Sequence, residues 1–195
     1  VSGHSEYYLE AIRARLTLGS ASNAVRDEYF IDLLREALLA SGIGVRGTHL
    51  VSDHEFRQTI LESRHEIACL EKLHIDDPSL NLDTIAPMVW RLIEATRVLE
   101  NDVALAPYSK VLHLLLPDLV VPMDRLYTRT FFGWPSKRFQ AHQRRFFDLA
   151  FRALAQLARE VLPAQYIGSG WRACRTKILD NALIGYCKVH PTYLP

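Results

Sequence analysis

The stretch from Ser109 to Arg125 reads SKVLHLLLPDLVVPMDR and is the most informative part of the chain for its fold. Lys110 begins an apolar run that Pro117 ends, and a short proline-bounded link then leads to Asp124. An apolar run of this kind that stops at a proline predicts a helix with a buried face. A carboxylate after the link suits the start of another helix, where it accepts backbone N–H groups. The stretch therefore predicts a helix with Lys110 in its first turn, an extended link, and a second helix capped by Asp124.

Lys110 and Asp124 can place an amine and a carboxylate around one reacting carbon. A lysine desolvated by apolar neighbours has a lowered pKa and becomes a usable nucleophile. A carboxylate at a helix N-terminus is favoured in its ionised form and can stabilise a cationic centre. Such a pair suits cleavage of an N-glycosidic bond, because positive charge develops on the sugar as the base departs. Two alternatives remain open: Asp124 is only a helix cap and Lys110 a solvated side chain, or the pair binds a ligand without turnover.

His113 lies three residues after Lys110, so the two side chains can share one face of the helix. It is a candidate helper for the catalytic pair. The plainer interpretation is a hydrogen-bonded histidine in the core of an apolar helix.

Residues 90–132 resemble the helix-hairpin-helix DNA glycosylases. Ala106–Lys110 stands where the hairpin of that family leads into the helix of the catalytic lysine, and Val121–Asp124 is similar to the link that ends in the catalytic aspartate. The resemblance implies an all-α fold and chemistry on a flipped-out base, with Lys110 as nucleophile and Asp124 stabilising the sugar cation. The chain differs from the family in its hairpin glycines, since it has none between Gly47 and Gly133.

The rest of the chain has helical periodicity and no convincing alternating strand, which predicts an all-α domain of about eight helices. We expect one domain over residues 1–195, with an acidic part (1–124) and a basic part (125–195). Besides the two helices above, the expected helices are Tyr7 to Leu18, one capped at Ser22 or Asn23 and ended by Gly42 and Gly44, Asp53 to about His74, one from Asp83, Lys137 capped by Ser136 to about Leu162, and Trp171 to Cys187.

The net charge of +1 hides an asymmetry between the two parts. Residues 1–124 hold 11 Lys/Arg against 19 Asp/Glu, whereas residues 125–177 hold 11 Lys/Arg against two acidic residues. A basic segment raises the expectation of a polyanionic partner, DNA above RNA, but the two parts can also simply pack against each other. The candidate phosphate-contacting residues are Arg125, Arg129, Lys137, Arg138, Arg144, Arg145, Arg152, Arg172, Arg175 and Lys177, with Arg159 on the same helix face as several of them.

Three aromatic residues are candidates for base stacking: Tyr127, Trp134 and Trp171. Each lies close in sequence to the basic residues, which is typical of single-stranded nucleic-acid sites. The alternative for the two tryptophans is a place in the core.

Several functional classes are not favoured by the sequence. No phosphate-binding loop, dinucleotide fingerprint or nucleophile elbow is present, and the histidines lack metal-ligand spacing, so neither a cofactor nor a metal is expected. No apolar run is long enough for a membrane span and no secretory signal is visible. Three widely spaced cysteines fit reduced thiols, which favours a cytoplasmic protein.

Three functions remain as hypotheses. The first is a nucleic-acid-binding protein that cleaves an N-glycosidic bond through Lys110 and Asp124. The second is a catalytically inert helical module that binds a protein or nucleic acid. The third is a homo-oligomer in which acidic and basic parts meet between subunits.

Overall fold

A computed structural model of the chain describes residues 2–43, 48–100, 105–135 and 141–190. These residues form ten α-helices and no named strand, which confirms the all-α class. The one backbone bridge among them joins Leu50 and Leu99. The helices are α1 (Ser2–Thr17), α2 (Ala21–Ala24), α3 (Glu28–Ala40), α4 (Asp53–Glu62), α5 (Arg64–Leu70), α6 (Leu82–Ala95), α7 (Leu105–Leu115), α8 (Tyr127–Phe131), α9 (Gln143–Val161) and α10 (Arg175–Val189), with short 3-10 helices at Pro163–Tyr166 and Gly170–Arg172.

Helix α7 is the central element of the fold. Eight of its eleven residues are buried, and helices α1, α3, α6 and α9 pack against it. A helix that is apolar nearly all round belongs in a core rather than on a surface. The chain that follows α7 is buried as well, from Leu119 through Val120 and Val121 to Met123. The segment with Lys110 and Asp124 therefore runs through the middle of the molecule.

Four of the described helices start at a short polar side chain that accepts backbone N–H groups. Ser20 accepts from Asn23, Asp27 from Phe30, Ser52 from Glu55 and Asn81 from Asp83 and Thr84. Gly42, at φ +87°, follows α3 in the left-handed region that glycine adopts without strain. Gly44 and Ser136, also expected to end or begin helices, lie outside the described residues.

The helix expected from Asp53 to about His74 is two helices, α4 and α5, and Ser52 caps the first. The break falls at Ser63, whose side-chain hydroxyl donates to the Thr59 carbonyl at 3.0 Å and lies 3.5 Å from the Thr96 hydroxyl. A serine that bonds back to the preceding turn competes with the helical backbone pattern. The prediction of one continuous helix was therefore wrong.

Other boundaries also differ from expectation. The helix expected with its cap at Ser22 or Asn23 is two helices, because these residues lie inside α2 and Asp27 caps α3. Lys110 lies in the second turn of α7, not the first, because the helix already includes Leu105. Of the helix expected from Lys137 to about Leu162, the structure describes α9, Gln143–Val161, while its expected start lies outside the described residues. Leu162 follows α9 at φ 52°, just before Pro163. Among the described residues, no helix combines the length and the apolar composition that crossing a membrane requires.

Candidate functional site

Lys110 and Asp124 line the same pocket, a cavity of about 230 Å³. The pocket lies where α1, α3, α7, α8 and α10 meet the link after α7. The pocket wall contains polar and aromatic side chains that can take part in chemistry or ligand binding. They are Tyr8, Lys110, His113, Asp124, Tyr127, Trp171, Lys177 and Asp180. The pocket thus combines the three predicted catalytic residues with two of the three predicted stacking residues.

Ser109 fixes the position of Asp124 relative to Lys110. Its hydroxyl is fully buried, accepts from the Met123 N–H at 2.9 Å and lies within hydrogen-bonding distance of the Ala106 and Met123 carbonyls. Because Ser109 precedes Lys110 and Met123 precedes Asp124, this contact ties the backbones of the two candidate residues together. No local sequence pattern indicates this role of Ser109.

Asp124 bonds to the first residues of α8 from the turn that precedes this helix. One of its carboxylate oxygens accepts from the Tyr127 N–H, and its own N–H donates to the Thr128 hydroxyl at 3.0 Å. The N-cap of α8 is Leu126, which makes no side-chain capping bond, so the prediction that Asp124 caps this helix was wrong; Asp124 instead holds the turn that leads into it. The carboxylate is half-buried and lines the pocket, so these contacts leave it available to a ligand.

Lys110 is a half-buried amine in an apolar wall. Burial lowers the pKa of Lys110, while the charge of Asp124 partly opposes this shift. Its ammonium has no ion pair within 4.0 Å among the described residues, in contrast to the neighbouring Lys177. A lysine with these surroundings holds more neutral amine near neutral pH than a solvated lysine does. Nucleophilic attack requires that neutral form.

His113 is part of the core and not an acid or base. It is fully buried, and Nδ1 lies 3.0 Å from the Val120 carbonyl and 2.8 Å from the Thr176 hydroxyl, while Nε2 meets the Tyr8 hydroxyl. A carbonyl only accepts, so we place the proton on Nδ1, and Nε2 accepts from Tyr8. Burial and the charge of Lys177 lower the pKa of His113 to about 3. The imidazole is therefore neutral, and the structure favours the core role over the helper role.

The Tyr8 ring is nearly parallel to the rings of His113 and Trp171, but it meets His113 edge to edge, because its hydroxyl is hydrogen-bonded to the imidazole Nε2. Its ring centroid lies 5.6 Å from that of His113 and 5.2 Å from that of Trp171, with interplanar angles of 1° and 9°. Burial raises the pKa of the Tyr8 hydroxyl, so it stays protonated and donates to His113. These contacts fix an aromatic wall of the pocket, and Trp171 remains 39% exposed at its outer end.

A second amine–carboxylate pair lies in the pocket wall. Lys177 and Asp180, three residues apart on α10, form an ion pair, and each side chain is only 10% exposed. The Lys177 ammonium also lies 5.1 Å from the Tyr8 ring centroid and 4.9 Å from that of Trp171. Burial raises the pKa of Asp180, and Lys177 opposes the shift. Lys177, expected on a phosphate-tracking surface, is instead buried in the pocket.

Three arginines of the basic part bond to the acidic part of the chain. Arg152 pairs with Asp83 and Asp148, Arg159 donates to the carbonyls of Asp77 and Leu80, and Arg175 pairs with Asp76 and Asp118. These contacts join the basic and acidic parts inside one chain, as the alternative interpretation of the charge asymmetry expects. They correct the expectation that Arg152 and Arg175 are free for phosphate contacts.

Other predicted basic residues remain at the surface. Arg125, Arg144, Arg145 and Arg172 are exposed, and Arg129 is half-buried with its guanidinium on the Arg125 carbonyl. Lys137 and Arg138 lie outside the described residues. Arg125 follows Asp124 and Arg172 follows Trp171 in the chain, so two exposed arginines are sequence neighbours of pocket residues.

The stacking candidates divide between pocket and core. Tyr127 and Trp171 line the pocket. Trp134 stacks on Phe132 at a centroid distance of 4.5 Å and contacts Phe146 at the same distance, which matches the core alternative.

Sequence reasoning missed two residues of the pocket, Tyr8 and Asp180. They come from α1 and α10, near opposite ends of the chain, and only tertiary packing brings them to Lys110. The signal that could have found Asp180 is its spacing from Lys177, since residues three apart face the same side of a helix.

The hairpin expected at Ala106–Lys110 is not found there, because these residues are helical and belong to α7. Leu105–Leu115 is one helix, and Pro107 is accommodated near its N-terminal end. Comparisons of the chain with models of protein families, with curated proteins and with solved structures find no match, so the chemistry of the pocket itself is the basis for assigning a function.

Proposed function

We propose that the pocket is an active site for cleavage of the N-glycosidic bond of a nucleotide in a nucleic acid, with Lys110 as nucleophile and Asp124 as the group that stabilises the sugar cation. The observation that carries this proposal is that Lys110 and Asp124 line one small pocket, and that burial lowers the pKa of the lysine. Ser109 supports it by holding the backbones of the two residues together.

The reaction balances with the groups at hand. The neutral amine of Lys110 adds to the anomeric carbon, and the carbon–nitrogen bond to the base breaks. The base leaves with the bonding electrons and takes up a proton from solvent. The Lys110 nitrogen then loses one proton to solvent. The carbon–oxygen bond of the sugar ring at the anomeric carbon breaks, the nitrogen lone pair forms the carbon–nitrogen double bond, and the ring oxygen takes up a proton from solvent, which leaves a protonated imine on Lys110. Asp124 offsets the positive charge that develops on the sugar while the bond to the base lengthens.

The volume of the pocket limits the part of the substrate that it can enclose to a single ring system. At about 230 Å³ it is smaller than the roughly 300–1,000 Å³ of sites for drug-sized ligands. A base attached to a duplex reaches such a pocket only when it is flipped out or already single-stranded. Exposed Arg125 and Arg172 are candidates for contacts to the flanking phosphates, since each follows a pocket residue in the chain.

Borohydride trapping tests the nucleophile. Oligonucleotides carrying uracil, hypoxanthine or oxidised and alkylated bases are incubated with the protein and reductant. We expect a covalent adduct with one class of base that Lys110→Met abolishes and Lys72→Met, a change of a lysine outside the pocket, retains. An adduct that survives Lys110→Met would contradict the assignment.

Chromatographic measurement of base release tests Asp124. We expect Asp124→Asn to lower the rate at least about a hundredfold, because the neutral amide no longer offsets the cation. An unchanged rate would leave Asp124 only its role in the turn before α8.

Salt dependence of binding tests the interaction with phosphates. Each phosphate that a cationic side chain neutralises contributes about 0.9 to the slope of log K against log salt. We expect Arg125→Gln and Arg172→Gln each to lower the slope by about that amount, while Arg152→Gln, whose guanidinium pairs with two carboxylates, leaves it unchanged. A flat response of the parent protein to salt would argue against a nucleic acid as partner.

A second candidate function is ligand binding without turnover. The observation that favours it is the use of Arg152, Arg159 and Arg175 inside the protein, which leaves fewer cations for a long polyanion. It predicts binding of a single ring system with neither adduct nor base release.

A further inference from the structure

The ion pair of Lys177 and Asp180 in the pocket wall carries a large desolvation cost. Each of the two side chains is only 10% exposed. Removing two charges from water costs about as much as their attraction returns, and apolar residues of similar volume often serve stability equally well. The pair therefore calls for an explanation other than stability, and its place in the wall points to ligand recognition.

The hydrogen-bonding capacity of the pair is only partly used inside the protein. Lys177 donates to one oxygen of Asp180, and the faces of Tyr8 and Trp171 fix the position of its ammonium. The other carboxylate oxygen accepts no hydrogen bond from the described residues, and it is not among their buried, unsatisfied atoms. An ammonium N–H and a carboxylate oxygen therefore remain side by side for a ligand.

The charges of the pocket argue against an anionic ligand. Lys110 and Lys177 are matched by Asp124 and Asp180, so a phosphate group would meet two carboxylates as well as two cations. A neutral ring avoids that repulsion. Aromatic surface from Tyr127 and Trp171 further favours a flat ligand.

We propose that Lys177 and Asp180 recognise an uncharged planar heterocycle through an adjacent carbonyl oxygen and ring N–H, the amide edge found in uracil and hypoxanthine. Lys177 donates to the carbonyl, and the second oxygen of Asp180 accepts from the ring N–H. The neighbouring donor and acceptor of the protein match the neighbouring acceptor and donor of the ring. This specificity rests on the proposed function, for which it names the class of base.

Burial is what makes this recognition selective. A ligand without the ring N–H leaves the Asp180 oxygen desolvated and unpaired, and sites built on buried hydrogen bonds reject such analogues strongly. The raised pKa of Asp180 is a sign of the same desolvation. Selectivity should therefore appear against a ligand that differs by one methyl group at that nitrogen.

Binding of two matched ligand pairs tests the proposal. In 1-methyluracil and 9-methylhypoxanthine a methyl group stands for the sugar and the amide edge is intact, whereas 1,3-dimethyluracil and 1,9-dimethylhypoxanthine lack the ring N–H. We expect calorimetry or ligand-observed NMR to give at least about tenfold tighter binding of one intact base over its methylated partner. Equal affinities for both members of both pairs, or no binding of any of them at millimolar concentration, overturn the proposal.

Variants assign the preference to the pair. The double change Lys177→Met and Asp180→Leu replaces the ion pair by apolar side chains and avoids a lone buried charge. We expect it to fold and to bind both members of a pair equally, while Lys72→Met, a change of an exposed lysine outside the pocket, keeps the preference. A preference that persists in the double variant contradicts the role of Lys177 and Asp180. If the double variant does not fold, the ligand pairs on the parent protein still decide the class of base.

The outcomes separate this proposal from the proposed function. A preference for the intact base without base release or adduct supports the recognition pair and refutes catalysis. Base release without a preference refutes the recognition pair and leaves catalysis standing. Tighter binding of inorganic phosphate than of any base overturns the neutral-ligand argument.

Discussion

The burial of His113 determines whether its imidazole can act as an acid or a base. Its imidazole is fully buried, donates from Nδ1 to the Val120 carbonyl and accepts the Tyr8 hydroxyl at Nε2. All the capacity of the neutral ring is used by the protein, and protonation would leave Nε2–H facing the hydroxyl that now donates to it. His113 is therefore a positioning residue that orients the Tyr8 ring in the pocket wall.

The lowered pKa of His113 predicts a pH dependence of stability. The unfolded chain takes up the proton as the pH falls through 6.5, whereas the folded chain takes it up only near pH 3. The unfolded state binds more protons in this window, so folding stability decreases as the pH falls. One proton corresponds to about 1.4 kcal/mol per pH unit. Urea unfolding between pH 6 and 4 should show a slope for the parent that is steeper by about this amount than for His113→Gln.

The control for His113 is the exposed His54. His54→Gln makes the same substitution at an exposed side chain outside the pocket, and we expect it to keep the slope of the parent protein. Equal slopes for the parent and His113→Gln would mean that the buried imidazole titrates normally.

The partly buried ammonium of Lys110 is predicted to lower the free energy of unfolding. Its pKa is lowered in the folded state, so the unfolded chain holds the proton more strongly, and stability rises as the pH increases toward 10.5. Lys110→Met removes this penalty and keeps the packing of the side-chain stem. Thermal unfolding at pH 7 should give an equal or higher Tm for the variant, together with loss of the trapped adduct. A large fall in Tm would make Lys110 a structural residue.

At the scale of elements, the sequence from Ser109 to Arg125 predicted an apolar helix that ends before Pro117, an extended link and a helix capped by Asp124. The first helix is present as α7, because a proline stops a helix by a local steric effect. The next helix starts later than expected, at Tyr127 with Leu126 as its N-cap. The break between α4 and α5 could not be predicted in this way, because the bond from Ser63 to Thr59 belongs to a buried site that includes Thr96. The contact depends on where α6 ends, which local sequence does not encode.

The contact between α7 and the link predicts the effect of removing one hydroxyl. Ser109→Ala leaves the Met123 N–H buried without an acceptor, at a cost of about 1–3 kcal/mol in unfolding free energy. Because the same hydroxyl sets Asp124 against Lys110, base release should fall with KM little changed. Denaturant unfolding and steady-state kinetics measure the two effects.

Ser22→Ala is the matched control for Ser109→Ala. Ser22 lies on the short helix α2 and is half-buried, so its replacement should change the unfolding free energy by less than about 0.5 kcal/mol. Similar decreases of stability in both variants would remove the argument for a special role of Ser109.

At the scale of the whole molecule, the acidic and basic parts of the chain meet within one fold. The sequence predicted the asymmetry and left open whether its partner is internal or external. Part of the basic charge has an internal partner, since Arg175 lies at the start of α10 and forms ion pairs with Asp76 and Asp118 of the acidic part. Tyr8 of the first helix and Asp180 of the last helix both line the pocket, because tertiary packing brings these two helices to the same site. Their place could not be predicted because no local pattern tells which distant helix a residue will meet.

Burial of the ion pairs between the two parts predicts which of them stabilise the fold. The Arg175 side chain is 19% exposed and its partners Asp76 and Asp118 are 11% and 28% exposed, whereas Arg152 pairs with the 88% exposed Asp83. Removing one member of a buried pair leaves its partner desolvated, while exposed pairs are worth about 0–1 kcal/mol. Arg175→Gln should therefore lower the unfolding free energy by about 2 kcal/mol, and Arg152→Gln by less than about 1 kcal/mol.

Salt separates the two cases further, because water and ions screen Asp83 but reach Asp76 poorly. Urea unfolding in low salt and again near 1 M salt should remove most of the effect of Arg152→Gln and keep most of that of Arg175→Gln. Equal effects of the two changes, or the same reduction of both in salt, would mean that the acidic and basic parts attract each other only as general surface charge. In that case the pocket would depend on the apolar packing of α1 and α10 around α7 alone.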